Sequence, residues 1–512
     1  MSLIVLPRLR HIALYITFVT TFLTLIAFLY IAQSPLPEDE DSVGNVGALH
    51  RLMNFKTPDF SSWIGTKVDR TEEANKIREL RETFMKRFPV SEQDVTSGRA
   101  KNGPVLQRLA DCIEANTCGE GEETVVLLAS FHFNNAINGH TSGEDIWALS
   151  SIEAFTALNY TMLWTISPMD TLTLYQGLSD KVAVVIWEGG EMKKCIDRNA
   201  ENWQSLEAGH TPGTFQEEDG KFGCIKREGF EEGIPLHKSF AFHFWTGPAH
   251  PLGRQFTLSP EDAAEWADDG EGNHYLGYSI ETRCRAVSLP SERQHRGLLL
   301  GKRKDYFDPE NRDFVWPNLL GPAMDAMPSE HNETTGEDTP FELIATGGEM
   351  HDGKPEVLFD EKIHNLGKQE QQDWYQIVAG SKFLLGIGKP YLSPSPYDAL
   401  CFGVPFINPI MGWDKENPHD WTKWISQHNA LRAIEPPFVY HVQKGNGTQL
   451  EAAFKAALEN PIDRFIPPKM RKSSVKERHR ALVETDWMPW AEAAVEHLYT
   501  DKGNEFWGMN SL

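Results

Sequence analysis

Short apolar runs alternate with helical patterns along most of the chain. Residues 124–130, 161–166 and 182–187 have the length and content of buried strands, and residues 144–158 place apolar side chains at helical spacing. Strand, helix and strand following one another at this pitch predict a doubly wound, Rossmann-like unit.

A second α/β set begins near residue 296. Apolar runs predict strands, and a helical pattern between two of them predicts a crossover helix. The predicted strands are 297–301, 341–348 and 383–385, with the helix over 371–381. Beyond them, residues 450–458 and 480–499 have helical patterns. The chain is therefore predicted to hold two α/β units followed by helices.

Residues 12–32 contain no charged side chain. This stretch is long enough to cross a bilayer as a helix. Arg8 and Arg10 precede this stretch and an acidic run, 38–41, follows it. This asymmetry predicts a signal anchor with the N-terminus in the cytosol and the bulk in the lumen. A cleaved signal peptide and a buried helix are the alternatives. Three Asn-x-Thr triplets, at Asn159, Asn332 and Asn446, are consistent with a lumenal location.

Composition narrows the function. The formal net charge of −24 argues against a non-specific role on nucleic acid.

Residues 33–120 are mainly polar and predict a stem with one surface helix, 76–87. A lumenal location permits disulfides. Cys112 with Cys118, and Cys195 with Cys224, could each close a loop, whereas the sequence predicts that Cys401 is a buried free thiol in a core helix.

The segment 386–409 is the strongest candidate for chemistry. Gly386 and Gly388 follow a predicted strand, and glycines there let the backbone turn and approach a ligand closely. A Ser/Pro loop then leads into a helix, 397–402, that stops at Gly403. Strand, small-residue loop and helix together are typical of a phosphate site, although an ordinary connection in an α/β protein has the same pattern.

These residues also carry a family resemblance. Residues 386–399 read Gly-x-Gly-x-Pro-Tyr-x-x-Pro-x-Pro-x-Asp-Ala, and Phe406-x-Asn408-Pro409 and Ser426-Gln427-His428 follow. This pattern resembles glycosyltransferase family 18, the N-acetylglucosaminyltransferase V type. The resemblance implies the GT-B fold, in which two Rossmann-like lobes face a cleft and the C-terminal lobe holds the nucleotide sugar.

With this resemblance, the chain divides into six parts. They are a cytosolic tail (1–11), a transmembrane signal anchor (12–32), a stem (33–120), an acceptor lobe (121–292), a donor lobe (293–445) and C-terminal helices (446–512). The resemblance further implies a Golgi type II membrane protein that transfers N-acetylglucosamine from UDP-N-acetylglucosamine to a mannose-containing glycan or glycoprotein. Its Golgi membrane contact would be residues 12–32.

The general base is predicted at Glu144, because Ser142-Gly143-Glu144 resembles the family's Gly-Glu at the start of a first-lobe helix. Inverting transfer needs one base to take the proton of the attacking hydroxyl. The structural alternative is a helix cap, since Ser142-x-x-Asp145 is a capping-box variant. Capping accounts for Asp145 better than for Glu144.

Donor contacts are predicted on the second lobe. Lys302 is the expected diphosphate cation, with a solvated lysine as the alternative. Asp398 is expected to bind the ribose, where the family has Glu, and Ser393 and Ser395 to bind the diphosphate. The remaining predicted donor-binding residues are Gly388 and Pro396 in the same segment and His364, a weaker candidate for a phosphate or a base edge.

No metal or other cofactor is expected. The Asp39-x-Asp41 pair has metal-like spacing but lies in the acidic run of the stem. A NAD enzyme is disfavoured because no Gly-x-Gly-x-x-Gly follows residues 124–130. Two alternatives stay open. One is the same fold with another nucleotide sugar, since Leu392 and Asp398 depart from the family pattern, and the other is a non-catalytic, membrane-anchored glycan-binding protein.

Overall fold

This computed structural model describes residues 69–90, 97–196, 223–227, 229–265, 271–308, 310, 313–332, 337–348 and 362–502. The predicted anchor at 12–32 lies outside these residues, as do Asp39 and Asp41. None of the helices in the described part combines the length and apolar content needed to cross a membrane.

The first lobe is built on a six-stranded parallel sheet. Its strands are β1 (Val125–Ala129), β2 (Thr161–Trp164), β3 (Val182–Glu188), β4 (Ser239–Phe242), β5 (Thr257–Ser259) and β6 (His274–Tyr275), in the order β2-β1-β3-β4-β5-β6. The three strands predicted in this region are confirmed. All five residues of β1 are buried, as expected for a strand covered by helices on both faces.

Among the described residues, six helices pack around this sheet, and a seventh leads out of the lobe. They are α1 (Thr71–Arg87), α2 (Gly98–Ala115), α3 (Phe131–Ile137), α4 (Gly143–Ala157), α5 (Pro168–Gly177), α6 (Gly189–Ile196) and the connecting helix α7 (Glu281–Arg285). The helix predicted over 144–158 is confirmed as α4. Short 3-10 turns occupy Leu236–Lys238, Arg254–Phe256 and Ala263–Glu265.

The described residues 69–90 and 97–120 belong to this lobe and not to a stem. Asn102 of α2 donates to the carbonyl oxygen of Trp164 at 2.7 Å and accepts from its amide at 2.9 Å. Arg99 forms a buried ion pair with Asp170 at 2.7 Å. The stem predicted to residue 120 therefore extends too far, because a few apolar positions and these buried polar contacts fix two largely polar helices onto the sheet.

The second lobe repeats the α/β plan. Its sheet contains β7 (Arg296–Leu300), β10 (Glu342–Ala345), β11 (Ile363–Asn365), β12 (Phe383–Gly386), β13 (Phe406–Gly412), β14 (Ile425–Ser426) and β15 (Val439–Gln443), while β8 (Glu330–Asn332) and β9 (Glu337–Thr339) form a separate hairpin. The parallel strands run β11-β10-β7-β12-β13-β15, the doubly wound order 3-2-1-4-5-6, and β14 adds antiparallel to β13. The α/β fold with two Rossmann-like sheets is thus confirmed.

The helices of this lobe are α8 (Leu320–Asp325), α9 (Gln371–Ala379), α10 (Ser395–Cys401) and α11 (Gly447–Glu459), with 3-10 turns at Lys304–Phe307, Trp421–Lys423, Asn429–Leu431 and Pro468–Met470. One apolar core lies within this lobe around Phe383 and Phe454. The other is continuous from the first sheet to Tyr397 and Leu400 of α10. The two lobes therefore share a core at α10.

The helical pattern over 480–499 resolves into two helices, α12 (Lys472–Glu484) and α13 (Met488–Lys502). The break occurs because Thr485 takes an extended backbone and the Asp486 carboxylate accepts from the amide of Met488 at 3.1 Å. Both helices contact the first lobe. The ring of Phe155 on α4 meets that of His479 on α12 edge-on at 5.0 Å.

Three disulfides join the six cysteines. The pairs Cys112–Cys118 and Cys195–Cys224 agree with the prediction. Cys401 is not a free thiol, because it is bonded to Cys284 at a Cα–Cα distance of 6.2 Å. The prediction was wrong since the partner lies on α7, which packs against α10 in the folded protein.

Candidate functional site

The strand order locates a crevice in the second lobe. In open α/β sheets, ligands bind beyond the carboxyl ends of the strands where the order reverses. That point lies between β7 and β12, whose last residues, Leu300 and Gly386, are directly paired. Lys302 follows β7 with its side chain exposed, and Gly388 follows β12. The structure thus brings these two predicted donor residues to neighbouring strand ends.

Gly388 is required by its surroundings. Its φ is +106°, and a Cβ atom built there would lie 1.7 Å from the carbonyl oxygen of Asp313. Its amide donates to Oε1 of Gln427 at 2.8 Å, and Nε2 of Gln427 donates to the Pro390 carbonyl oxygen at 3.1 Å. Gln427 therefore fixes the glycine turn from behind.

His428 holds the next part of the loop. Its Nε2 lies 3.1 Å from the carbonyl oxygen of Ser393, so that nitrogen carries the proton. Burial lowers the pKa of His428 to about 3, which keeps the imidazole neutral. Asn408 donates to the His428 carbonyl oxygen and accepts from its amide, both at 3.2 Å. The Ser-Gln-His and Asn-Pro motifs thus shape the loop, a role that the sequence did not reveal.

The serines of the loop are partly exposed and bonded to each other. The amide of Ser395 donates to Oγ of Ser393 at 3.3 Å, and the two hydroxyl groups lie 3.1 Å apart. Both hydroxyl groups sit at the start of α10, whereas Pro396 is buried. Of these three predicted donor residues, the serines are therefore placed to meet a ligand.

Asp398 is buried and fully engaged. Its two oxygens accept from Nε and Nη2 of Arg283, at 3.1 and 3.2 Å, and its side chain is only 3% exposed. Burial raises the pKa of Asp398, although the Arg283 guanidinium opposes that rise. A ribose hydroxyl at this carboxylate would have to share its oxygens with Arg283. No pattern around Arg283 in the sequence signals this contact.

Glu144 lies where the lobes meet. The start of α4 is a full capping box, in which Ser142 Oγ accepts from the Asp145 amide and the Asp145 carboxylate accepts from the Ser142 amide. Capping therefore accounts for Asp145, as predicted. A Cβ atom built on Gly143 would lie 3.5 Å from Cδ of Pro394. The helix that carries Glu144 therefore begins beside the Ser/Pro loop, residues 393–396, which is called the donor loop below because donor contacts are predicted there. Within the described ranges, the Glu144 carboxylate has no hydrogen bond or ion pair.

A histidine contacts the carboxylate of Asp145, the residue after Glu144. Nδ1 of His132, just after β1, is 2.8 Å from Oδ1 of Asp145. Burial favours the neutral form of Asp145, but hydrogen bonds from His132 and Ser142 outweigh it and lower its pKa. The sequence interpretation did not include His132, because its partner is thirteen residues away in the chain. A histidine held by a buried carboxylate can act as a base.

His364 lies away from these residues, and the described residues contain no metal-binding cluster. His364 lies exposed on the edge strand β11, three strands from β12, roughly 14 Å by ordinary strand spacing. Across the described ranges, no group of three or more His, Cys, Asp or Glu side chains could hold a metal ion. Metal independence stays a prediction.

A large cavity exists elsewhere. It has a volume of about 820 Å³ and is lined by Thr124 and Val182, at the amino ends of the first sheet, together with Lys476. These are the ends opposite to the lobe junction. The strand order and the converging side chains identify the junction as the better candidate.

Comparison with known proteins shows which family the chain resembles. The model of glycosyltransferase family 18 matches residues 339–499, which confirms the resemblance read from residues 386–409. Alpha-1,6-mannosylglycoprotein 6-beta-N-acetylglucosaminyltransferase A of Homo sapiens is 22% identical over 251 residues, covering 46% of this chain and 30% of that relative. The B enzyme of Homo sapiens is 26% identical over 131 residues, covering 24% of this chain and 16% of its own length. The chain thus spans less than a third of these relatives.

Among solved structures, an O-GlcNAc transferase from Thermobaculum terrenum aligns with 85% of this chain and 78% of its own, at 11% identity and a TM-score of 0.33. That similarity is too low to add to the fold description, which depends on the strand order alone.

Proposed function

Because residues 339–499 match glycosyltransferase family 18, we propose that this chain is an inverting N-acetylglucosaminyltransferase of the GT-B type. It transfers N-acetylglucosamine from UDP-N-acetylglucosamine to a mannose-containing glycan. The observation that carries this proposal is the close approach of Gly143, the residue before Glu144, to Pro394: a Cβ atom at Gly143 would lie 3.5 Å from Cδ of Pro394.

Glu144 is the proposed general base. As the acceptor hydroxyl attacks the anomeric carbon, its proton passes to the Glu144 carboxylate, and the bond from that carbon to the diphosphate oxygen breaks. The nucleoside diphosphate leaves with the electron pair of the broken bond, and the configuration inverts because the hydroxyl oxygen attacks from the opposite face of the sugar. An unpaired carboxylate at the lobe junction supports this role.

Lys302 and the loop stabilise the departing diphosphate. Lys302 supplies a positive charge next to the glycine turn, and the Ser393 and Ser395 hydroxyls with nearby amides supply donors. This arrangement would serve without a metal ion. Gly388 permits the turn that places the loop beside Lys302, and Pro396 fixes the first turn of α10.

Asp398 is proposed to bind the donor ribose only while it remains paired with Arg283. The pair is bidentate and buried, so it sets the height of α10 relative to the connector α7. His364 is proposed as a weaker contact for the uracil base of the donor, since the bound nucleotide could extend from β12 towards β11.

The acceptor glycan is proposed to bind the first lobe. Phe131 and Trp245 follow β1 and β4 at the carboxyl edge of the first sheet, and they are 42% and 51% exposed. Large exposed aromatic rings beside polar groups are typical of binding surfaces. Residues 12–32 are proposed to anchor this lumenal enzyme in the Golgi membrane, as the sequence pattern predicts.

Another nucleotide sugar is the alternative donor. Leu392 and Asp398 stand where the family tends to have glutamate, and Leu392 is buried with a φ of +51°. The loop could therefore accept a different sugar. A glycan-binding protein without activity is the second alternative.

A donor screen tests these proposals. The full chain is incubated with a mannose-containing glycan and each of several UDP-, GDP- and CMP-sugars, with released nucleotide as the readout. Release from UDP-N-acetylglucosamine that needs the acceptor, and that Glu144→Gln abolishes, would support the proposal. Activity lost in EDTA and regained with manganese would contradict metal independence. Binding of the glycan without any turnover would favour the glycan-binding alternative.

A further inference from the structure

A buried carboxylate links the first lobe directly to the donor helix. Glu261 lies two residues beyond β5 and is 3% exposed. Its Oε2 accepts from the Tyr397 hydroxyl at 3.0 Å, and its Oε1 accepts from the Tyr278 hydroxyl at 3.3 Å. Tyr397 belongs to α10, whereas Tyr278 precedes the connector α7. Both hydrogen bonds are buried, so water does not compete for them.

Tyr397 continues this link to the donor loop. Its ring meets the His428 imidazole edge-on at 4.9 Å, and His428 in turn holds the Ser393 carbonyl oxygen. A continuous set of packed side chains thus runs from Glu261 to Ser393. A movement of Tyr397 towards or away from Glu261 would therefore change the position of the serines that are proposed to bind the diphosphate.

The geometry points to Glu261 as a positioning residue that sets donor affinity through Tyr397, with a strength that depends on whether its carboxyl group is charged. This inference depends on the proposed function, since it concerns the same donor site. Glu261 is too deeply buried to touch the substrate itself.

The charge state changes the hold on Tyr397 for a simple reason. A carboxylate accepts strongly at both oxygens, whereas a neutral carboxylic acid keeps one good acceptor oxygen. Burial raises the pKa of Glu261 to about 7. The tyrosine hydrogen bonds and Lys469 oppose that rise, and Asp262 adds to it.

The pKa values of the two tyrosines and of His428 are displaced away from neutral pH. Burial raises the pKa of Tyr278 and of Tyr397 far above their usual range, and the pKa of His428 lies near 3. The ionisable groups that face this carboxyl group are Asp262 on its own loop, Tyr275 on β6, Tyr278 on the connector, Tyr397 on α10 and Lys469 before α12. A transition in donor affinity near pH 7 would therefore report on Glu261.

The test is calorimetric titration of the full chain with UDP-N-acetylglucosamine between pH 6 and pH 8. Both phosphates of this probe are esterified, so it does not titrate in that interval. We expect affinity to rise about fivefold or more from pH 6 to pH 8, a typical size for coupling between two sites. Glu261→Gln keeps the shape and one acceptor oxygen but cannot ionise, so its affinity should not vary with pH.

Two matched tyrosine variants separate positioning from general stability. Tyr397→Phe removes the connection to α10, so the pH transition should vanish. Tyr278→Phe removes the other hydrogen bond to the same carboxylate but leaves α10 attached, so the transition should persist and move to higher pH. A wild-type affinity that is constant across this interval, or a transition that survives in Glu261→Gln or Tyr397→Phe, would overturn the inference. Absence of binding at every pH would instead count against the proposed donor.

Discussion

Asp398 and Arg283 form a bidentate ion pair, at 3.1 and 3.2 Å, between the helix α10 and the connector α7. Both side chains are largely removed from water, at 3% and 17% exposure. The residue predicted to bind ribose is therefore also a structural partner of a cation 115 positions earlier in the chain.

This pair predicts a large loss of stability for Asp398→Ala. The substitution leaves the Arg283 guanidinium buried without its partner, so the free energy of unfolding should fall by about 3–5 kcal/mol, measured by chemical denaturation. The double variant Arg283→Met with Asp398→Leu removes both charges and should recover most of that loss. If donor affinity stays low in the double variant while stability returns, Asp398 binds the donor, whereas recovery of both would assign it to structure alone.

Glu144→Gln should lower turnover by about 10²–10⁴, because an amide cannot take the acceptor's proton. Donor affinity should hardly change, since the donor contacts lie on the other lobe. The neighbouring variant Asp145→Asn is the control. It weakens a helix cap and the contact to His132, so it should reduce stability by about 0.5–2 kcal/mol. Near-normal turnover in Glu144→Gln would return Glu144 to a helix-terminus role and make His132→Asn the next variant to measure.

The Cys284–Cys401 disulfide should contribute more to stability than Cys112–Cys118. The two bonds span sequence separations of 117 and 6. In the chain-entropy model, their loss costs about 4–5 and about 2 kcal/mol, respectively. Paired cysteine-to-alanine variants, compared by thermal unfolding without reductant, would measure this difference. Equal losses would show that chain entropy does not govern the effect.

Glu261 should also make global stability depend on pH. The pKa of Glu261 is raised from 4.5 to about 7 by burial. The contribution of Glu261 to the free energy of unfolding is therefore fully present below about pH 4.5, and it is lost as the pH rises through 7. Relative to Glu261→Gln, wild type should lose about 3 kcal/mol of unfolding free energy over that interval. Parallel curves for the two proteins would show that the carboxyl group does not titrate there.

Local patterns were enough to predict three strands of each sheet and the strand, turn and helix of the segment 386–409. Strand and helix periodicity depends on neighbouring residues, and the turn at Gly388 follows from two glycines after a buried strand. The stem boundary was placed too late because α1 and α2 are mostly polar. Their attachment depends on buried contacts, such as the ion pair of Arg99 with Asp170, that no local pattern contains.

The contacts that define the junction could not be predicted for a related reason. The partner of Cys401 is 117 residues away, and the partner of Glu261 is 136 residues away. A single sequence contains no signal for such pairs. Only the packing of α7 and β5 against α10 brings them together.

The return of α12 to the first lobe has a consequence for synthesis. Phe155 lies against His479, and Trp487 packs against Phe240 and Phe256, so residues 472–502 complete the apolar surface of a lobe that begins at residue 69. During translation the first lobe therefore cannot close when its own strands emerge. Part of its apolar core stays uncovered until the whole second lobe and residues 472–502 have been synthesised.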